Sequence, residues 1–531
     1  MVLQVPTVLV SPSLVLRRWP FYVGILVLIA AVYAAWPNWN ARVVDVIPKV
    51  LENEEWQNSE PTLAVDPSNP SRISVSAMFL GSEGIECGDL KAGVVTSADK
   101  GHMWSLQCVL PLKGDPTDQF PDWAGDHSFD AVGSGDKVYA AYLTPGYVLT
   151  ARILETEITK LFASTITILQ DFQDTDQPQI DANHDPGSDE YSVSASMSEE
   201  TSNCRDDATR DAVVYAGTGA PTTPTCFQNR VAAFETPAVR SAWHSSGTIY
   251  TVYYLPFSWS QKQTHVVVAK ATKGAGGTVF GAIVDGPASN GNSCNSRDGL
   301  PGFRVARCVD FPWNIGPDPN FGQERRQLSH LSIAVHPNDE NRVYVAWGDV
   351  RPGDGSLLTL HVRSSHDGGV SWDNNDLTSV TNATNPALAI NKDGRVGFAY
   401  QQLNQRDGAT WWDTIFILAD PDFLSTRQFV LAQTKSDTPE AIIMPYLGDY
   451  MDLKSVGGDF YGVFSANNQF SQNAYPQGLK YWRRPGGAPL MVGFGAQLPV
   501  SIDPYFYAIE HLSPFTNVMT FIAKYVGVSK R

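Results

Sequence analysis

Glu60 to Ala77 reads EPTLAVDPSNPSRISVSA, and His330 to Trp347 reads HLSIAVHPNDENRVYVAW. The two stretches, far apart in the chain, align almost residue for residue from Ala64 and Ala334 onward. Each is an alternating apolar run, a turn rich in Asp, Asn and Pro, and a second alternating run. That pattern predicts a β-hairpin. Five more copies are legible: Asp126 to Tyr142 (DHSFDAVGSGDKVYAAY), from Gln177 (QPQIDANHDPGSDEYSVSA), from Pro237 (PAVRSAWHSSGTIYTVYY), Asn385 to Tyr400 (NPALAINKDGRVGFAY) and from Tyr446 (YLGDYMDLKSVGGDFYGVF). They recur roughly every 50–65 residues, a period that suits four-stranded blades around a channel. The expected class is therefore all-β, a β-propeller of seven blades, or six if one copy is spurious. Two packed β-sandwiches are the rival architecture. An insertion, Gly281 to Gln327, lengthens the interval between the fourth and fifth copies.

Composition excludes several classes. The chain has 531 residues, a formal net charge of −17 and 18% charged residues. Such an acidic protein is repelled by nucleic-acid phosphates, and no dense Lys/Arg stripe overrides this, so nucleic acid is not an expected partner. Six cysteines fall in sequence-local pairs, Cys87 with Cys108, Cys204 with Cys226, and Cys294 with Cys308. Three local disulfides and an oxidising compartment follow, since zinc-type Cys/His spacing is missing.

The N-terminus carries an address. Phe21 to Trp36, FYVGILVLIAAVYAAW, is uncharged and apolar, and Arg17-Arg18 precede it. A basic flank stays in the cytoplasm, so the body is expected outside, held by a single-pass transmembrane helix. Cleavage near Ala34-Ala35 is the alternative and would give a secreted protein. The expected organisation is 1–18 cytoplasmic stub, 19–39 transmembrane signal-anchor, 40–58 linker, 59–495 propeller and 496–531 closing segment. The apolar patches after Asp503 suggest a closing helix. The body is thus expected in the periplasm or on the cell surface.

Two further octapeptides share register with their hairpins. Ser97 to Trp104, SADKGHMW, and Ser365 to Trp372, SHDGGVSW, both read S-x-D-x-G-x-x-W. Ser and Asp can satisfy turn backbone groups, Gly takes a strained dihedral, and Trp tucks onto the blade. The motif resembles the Asp box of the sialidase-like (BNR-repeat) propellers, and Thr272 to Phe280, TKGAGGTVF, resembles a decayed copy. In that family the box is structural, so its residues are not nominated for chemistry.

The resemblance implies a glycoside hydrolase with a Tyr nucleophile, an activating carboxylate, an Asp acid/base and three arginines gripping a carboxylate. GDYMDLKSVGGDFYGVF resembles the region of the catalytic Tyr. This makes Tyr450 the candidate nucleophile, the alternative being one more core aromatic. Where the family opens its first blade with Arg-Ile-Pro, this chain reads Ser59-Glu60-Pro61. An anionic Glu60 would repel an anionic sugar. Arg351 is similar in position to a later clamp arginine, or it pairs with Asp349.

The residues alone lead to a related place. The first strand of each blade starts near the channel mouth, so Glu60, Asp126, His127, Gln177, His330, Asn385, Asp449 and Tyr450 are expected to converge. Glu60, Asp126 and Asp449 would supply catalytic carboxylates beside Tyr450, and His127, Gln177, His330, Arg351 and Asn385 would bind substrate. No organic cofactor is expected. Calcium is the one candidate ion, through these carboxylates or through Asp181, Asp185, Asp189 and Glu190, which otherwise form a solvated turn. The expected partner is a glycan or small molecule in the channel mouth. A non-catalytic binding or scaffold propeller is the alternative function.

Overall fold

The computed structural model describes residues 39–48, 56–80, 93–108, 126–131, 137–144, 150–157, 167–173, 175–185, 190–199, 210–218, 223–231, 238–258, 263–274, 277–286, 294, 299, 302–310, 317–318, 323–324, 330–350, 357–441, 446–469, 473–481 and 500–511. The chain divides into two compact units. Ala41–Ala508 is the propeller described below. Of the second, Met1–Asn40 with Ile509–Arg531, the described part includes Trp39 packed edge-on against His511.

Among the described residues the secondary structure is β throughout, and six blades are each built from one continuous stretch of chain. Blade 1 comprises Thr62–Val65, Ile73–Ser76, Gly93–Ser97 and Ser105–Cys108. Blade 2 comprises His127–Ala131, Lys137–Thr144, Thr150–Glu157 and Thr167–Gln173. Blade 3 comprises Thr175–Asp185, Glu190–Glu199, Arg210–Thr218 and Thr223–Val231. Blade 4 comprises Val239–Trp243, Thr248–Ser258, Gln263–Gly274 and Gly277–Phe280. Blade 5 comprises Leu331–His336, Asp339–Asp349, Thr359–Ser365 and Thr378–Thr381. Blade 6 comprises Ala383–Ile390, Val396–Arg406, Ala409–Ala419 and Thr426–Lys435.

A further sheet is composite. Its order is Asp452–Val456, Asp459–Asn467, Ile502–His511, Trp39–Asp45 and Lys480–Tyr481, so strands from both ends of the chain complete it. Its inner strand, Asp452–Val456, neighbours the inner strands of blades 6 and 1. The inner strands of blades 1 to 6 neighbour one another in chain order.

Each hairpin read from the sequence is present, and each begins an inner strand. The alternation is read on both faces, because every blade is covered by its neighbours. Core clusters join blades 2 and 3, 4 and 5, and 5 and 6, and another joins blade 1 to the composite sheet through Leu63, Val75, Tyr461 and Phe506. Burial of large apolar and aromatic side chains between layers contributes about 1.5–3 kcal/mol each.

Two expectations change. Ile502–His511 is a strand where the tail suggested a helix: Ile502, Tyr505, Phe506, Tyr507 and Ile509 are all buried, as a strand enclosed on both faces requires. The insertion is partly blade 4 itself. Phe303–Asp310 pairs with Gln263–Gly274 beyond the reach of Gly277–Phe280, and the Cys294–Cys308 disulfide closes its loop. The pairs Cys87–Cys108 and Cys204–Cys226 each involve a residue outside the described set. So does the expected anchor, 19–39, apart from Trp39. No helix among the described residues is long and apolar enough to cross a membrane.

Candidate functional site

The inner strands register on a buried apolar residue: Leu63, Phe129, Ile180, Val239, Ile333, Leu388 and Leu453. The preceding position is short and polar in several blades, and it stitches one blade to the next. Thr62 Oγ1 accepts from the Phe129 amide at 3.0 Å, Ser128 Oγ from Ile180 at 2.9 Å, and Ser332 Oγ from Leu388 at 2.9 Å. From the composite sheet, Asp452 Oδ2 accepts from the Leu63 amide at 3.2 Å. The position after the apolar residue carries Ala64, Asp130, Asp181, Arg240, Ala334, Ala389 and Lys454. Four of the seven are charged. Asp130, Asp181, Arg240 and Lys454, with Asp452, line a central cavity of about 280 Å³.

At the start of the inner strands the sequence-nominated residues form a connected, buried layer. Glu60, Asp126, His127, Gln177 and Asp449 are each 6% exposed or less. Gln177 Nε2 donates to Asp449 Oδ2 at 2.8 Å, and its backbone amide donates to Asp126 Oδ2 at 3.2 Å. The Asp449 amide donates to Glu60 Oε1 at 3.1 Å. Tyr450 Oη accepts from the His127 amide at 2.9 Å and donates to the His127 carbonyl at 3.0 Å. Asn385 joins the layer through the Gly448 carbonyl at 3.1 Å, while His330 bonds Thr384 Oγ1 at 3.1 Å. Arg351 lies outside the described residues, and Asp349 accepts from Trp347 and bonds His361 at 2.9 Å.

Strain marks this layer. Glu60, Gln177 and Asn385 have φ of 55°, 47° and 53°, and each precedes a proline. Left-handed backbone at a non-glycine residue persists only where the surroundings over-determine it. Gly448, at φ 85°, passes so close to Glu60 that a Cβ there would meet the Glu60 backbone.

Burial dominates the electrostatics. It pulls the His127 imidazole down to about 3, so the ring is neutral. It pushes the Tyr450 phenol well above its ordinary value, and Asp126 and Glu60 push the same way. The Tyr450 hydroxyl is therefore a protonated donor in this geometry. Arg240 sits with its guanidinium 5.7 Å from the Tyr450 ring centroid, a cation–π distance. One layer on, Lys454 Nζ is 3.3 Å from Asp130 Oδ1. Burial lifts the Asp181 carboxyl to about 8, with Asp130 and Asp452 adding to the lift and Lys454 and Arg240 opposing it.

Arg240, Asp130, Asp452 and Lys454 were not singled out from the sequence, and Asp181 was read as part of an acidic turn. The available signal was the two-residue period itself. Counting inward from each strand start reaches them once the seven copies are aligned on their apolar residue. Among the described residues no group of three or more His, Cys, Asp or Glu side chains is placed to hold a metal ion.

The two octapeptide turns each connect the third and fourth strands of a blade, at its outer side. In blade 1, Ser97 Oγ donates to Asp99 Oδ1 at 2.9 Å and accepts from the Gly101 amide at 2.8 Å, and Trp104 Nε1 donates to the Gly101 carbonyl at 3.2 Å. In blade 5, Ser365, Asp367, Gly369 and Trp372 repeat these bonds at 2.8, 2.8 and 3.2 Å. The architecture is a β-propeller carrying two Asp-box turns, the arrangement that the resemblance of the octapeptides implies.

No family model matches the sequence, and no curated protein does. Solved structures with a similar course of chain include a protein of unknown function from Dyadobacter fermentans, with 12% identity, a TM-score of 0.40, and coverage of 90% of this chain and all of that one. An α-L-arabinofuranosidase of Fusarium graminearum gives 11%, 0.36, and 75% and 95% coverage. A Trypanosoma rangeli sialidase gives 10%, 0.35, and 91% and 60% coverage. At these levels the similarity bears on neither substrate nor site.

Proposed function

We propose that this protein is a saccharide-binding propeller held at the cell envelope, with the ligand seated in the central cavity. The observation that carries this reading is the wall of that cavity. Asp130, Asp181, Arg240, Asp452 and Lys454 converge there beside the ring of Tyr450. Charged groups that both donate and accept, next to an aromatic face, suit a polyhydroxyl ligand. The volume, just under the lower end of ordinary ligand pockets, suits one sugar unit. The composite sheet would count as the seventh blade. Arg17-Arg18 before the apolar run, and a disulfide in the body, support an N-terminal anchor at 19–39 and an extracytoplasmic location. The remaining two cysteine pairs would be oxidised there as well.

Glycoside hydrolysis is the second reading, favoured by Arg240 beside Tyr450 and by Asp126, Asp449 and Glu60 around them. For Tyr450 to attack, its hydroxyl would have to leave the His127 carbonyl and lose its proton to a carboxylate. The test is titration of the full chain with a panel of mono- and disaccharides, together with aryl glycosides that include a sialoside. Binding that weakens at least tenfold in Lys454→Met, with an unchanged melting temperature, is expected. Absence of binding by every sugar would sink the saccharide reading. Release of the aryl group by wild type, lost in Tyr450→Phe while binding survives, would establish hydrolysis.

A further inference from the structure

The charge lining the channel is unbalanced. Asp130, Asp181 and Asp452 line it, against Arg240 and Lys454 among the described residues, and the buried Glu60, Asp126 and Asp449 lie in the layer at the strand starts. Arg240 is drawn mainly to Tyr450, Asp126 and Asp449, in the layer at the strand starts. Lys454 is drawn to Asp130, Asp452 and Asp181. The layer around Lys454 thus holds three carboxyls for one wholly committed cation.

One of those carboxyls feels Lys454 and Arg240 only at a distance. Asp181 is 8% exposed, lines the cavity, and its buried Oδ2 has no hydrogen-bond partner among the described residues. Two residues earlier on the same strand, the buried Gln179 Oε1 is also unpartnered and also lines the cavity. Asp130, by contrast, accepts from the Ala182 amide at 2.8 Å, and Asp452 from the Leu63 amide. Buried polar groups left without partners are costly: Gln179 Oε1 calls for an occupant that donates, and so does Asp181 once it is ionised. Among the described residues no cluster of carboxylates is arranged for a metal ion. An ammonium group needs no such convergence. It brings three donors and one positive charge on an organic frame.

We infer that the ligand of this cavity carries a primary ammonium group, which docks against Asp181 and Gln179, so that the substrate class is a cationic amino sugar and not an anionic one. This deepens the saccharide reading and rests on it. The surplus of carboxyls repels a carboxylate sugar and leaves an N-acetylated one without the charge that answers Asp181. Burial holds Asp181 protonated at neutral pH when the cavity has no cation. Docking an ammonium there favours the carboxylate and expels that proton.

The experiment is calorimetric titration of the full chain with glucosamine, N-acetylglucosamine, N-acetylneuraminate and cyclohexylamine, in buffers of different ionisation enthalpy. The expected result is that glucosamine binds at least tenfold more tightly than N-acetylglucosamine. It should release about one proton per ligand at pH 6, with affinity rising about tenfold per pH unit between pH 5 and 6.5. In Asp181→Asn the preference and the proton release both disappear. Should that variant misfold, proton release by wild type decides alone. Equal or tighter binding of N-acetylglucosamine, or a preference for N-acetylneuraminate, overturns the inference and leaves the saccharide reading standing. Cyclohexylamine binding as well as glucosamine, with no neutral sugar bound, overturns the saccharide reading and leaves the cation class standing. If nothing binds, both fall.

Discussion

Asp181 is the residue where burial and charge conflict most openly. In the unfolded chain its carboxyl ionises near pH 4, and in the fold it ionises at about 8. Its folded value is raised, so its contribution to stability is fully present below the unfolded value. That contribution is lost as pH rises through 8, because the fold must then bury a charge or hold a proton against the solvent. Asp181→Asn keeps the shape and removes the titration. The variant should therefore be more stable than wild type at pH 8.5, by about 1–3 kcal/mol, and should lose that advantage at pH 4. Urea midpoints at the two pH values measure this. A constant difference across the range would mean that Asp181 is solvated in the fold. Tyr450, the residue most visible from the sequence, is tied differently. Both of its hydroxyl bonds go to the backbone of one residue of blade 2, His127, so its side chain fixes the entry of that inner strand whatever further part it plays.

At the scale of elements, the hairpins and the Asp boxes were legible because their information is local. The Ser, Asp, Gly and Trp bonds that define a box are made within eight residues, and the two copies differ by no more than 0.1 Å in them. Ser97→Ala and Ser365→Ala each remove an acceptor from a buried glycine amide. Each should lower stability by about 1–2 kcal/mol, and the two should add, since they sit in separate blades. Neither box lines the cavity, so ligand affinity should not move. Denaturant midpoints with unchanged slopes, beside a binding titration, check both halves. A box change that abolished binding with stability intact would show the turns to be functional.

The charged layer was legible only in part, because it is made by seven distant strands and its members are different residues. Ala64, Asp130, Asp181, Arg240 and Lys454 share a position without sharing a chemistry, so no repeat signal flags them. The strand at Trp39–Asp45 was hidden for another reason. Its pairing partners lie at the far end of the chain, and nothing local in WNARVVD announces them. His361 was equally silent. It is buried between Asp349 and Asp376 and stacked on Trp347; Trp347 and Asp349 come from the neighbouring strand and Asp376 from the connection to the fourth strand of the blade.

For the whole molecule, the decisive event is the closing of the ring by its two ends. Trp39–Asp45 lies between Ile502–His511 and Lys480–Tyr481, pairing in parallel with the latter through Val44 and Asp45. Val43, Val44, Val46 and Ile47 are buried, the last three within the core shared with blade 1. Arg42 reaches further, donating to the carbonyls of Lys100 and Gly101 at 2.7 and 2.8 Å, and so ties this strand to the Asp box of blade 1. Residues 39–47 therefore join the composite sheet to its neighbour by backbone, core and guanidinium together. A chain beginning at Val46 would leave both flanking strands with an unpaired edge and an apolar slot, which invites association with a second chain. We expect a chain beginning at Trp39 to melt as the full protein does, and one beginning at Val46 to melt at least about 10 °C lower or to aggregate. Arg42→Ala, which removes the guanidinium alone, should fall between them, at a cost of about 1–2 kcal/mol. If the Val46 chain melted as one cooperative unit at the full temperature, closure would have to reside in the hydrogen bonds that Leu63 and Thr62 donate to Asp452 instead, and Asp452→Ala in that background would then open the ring.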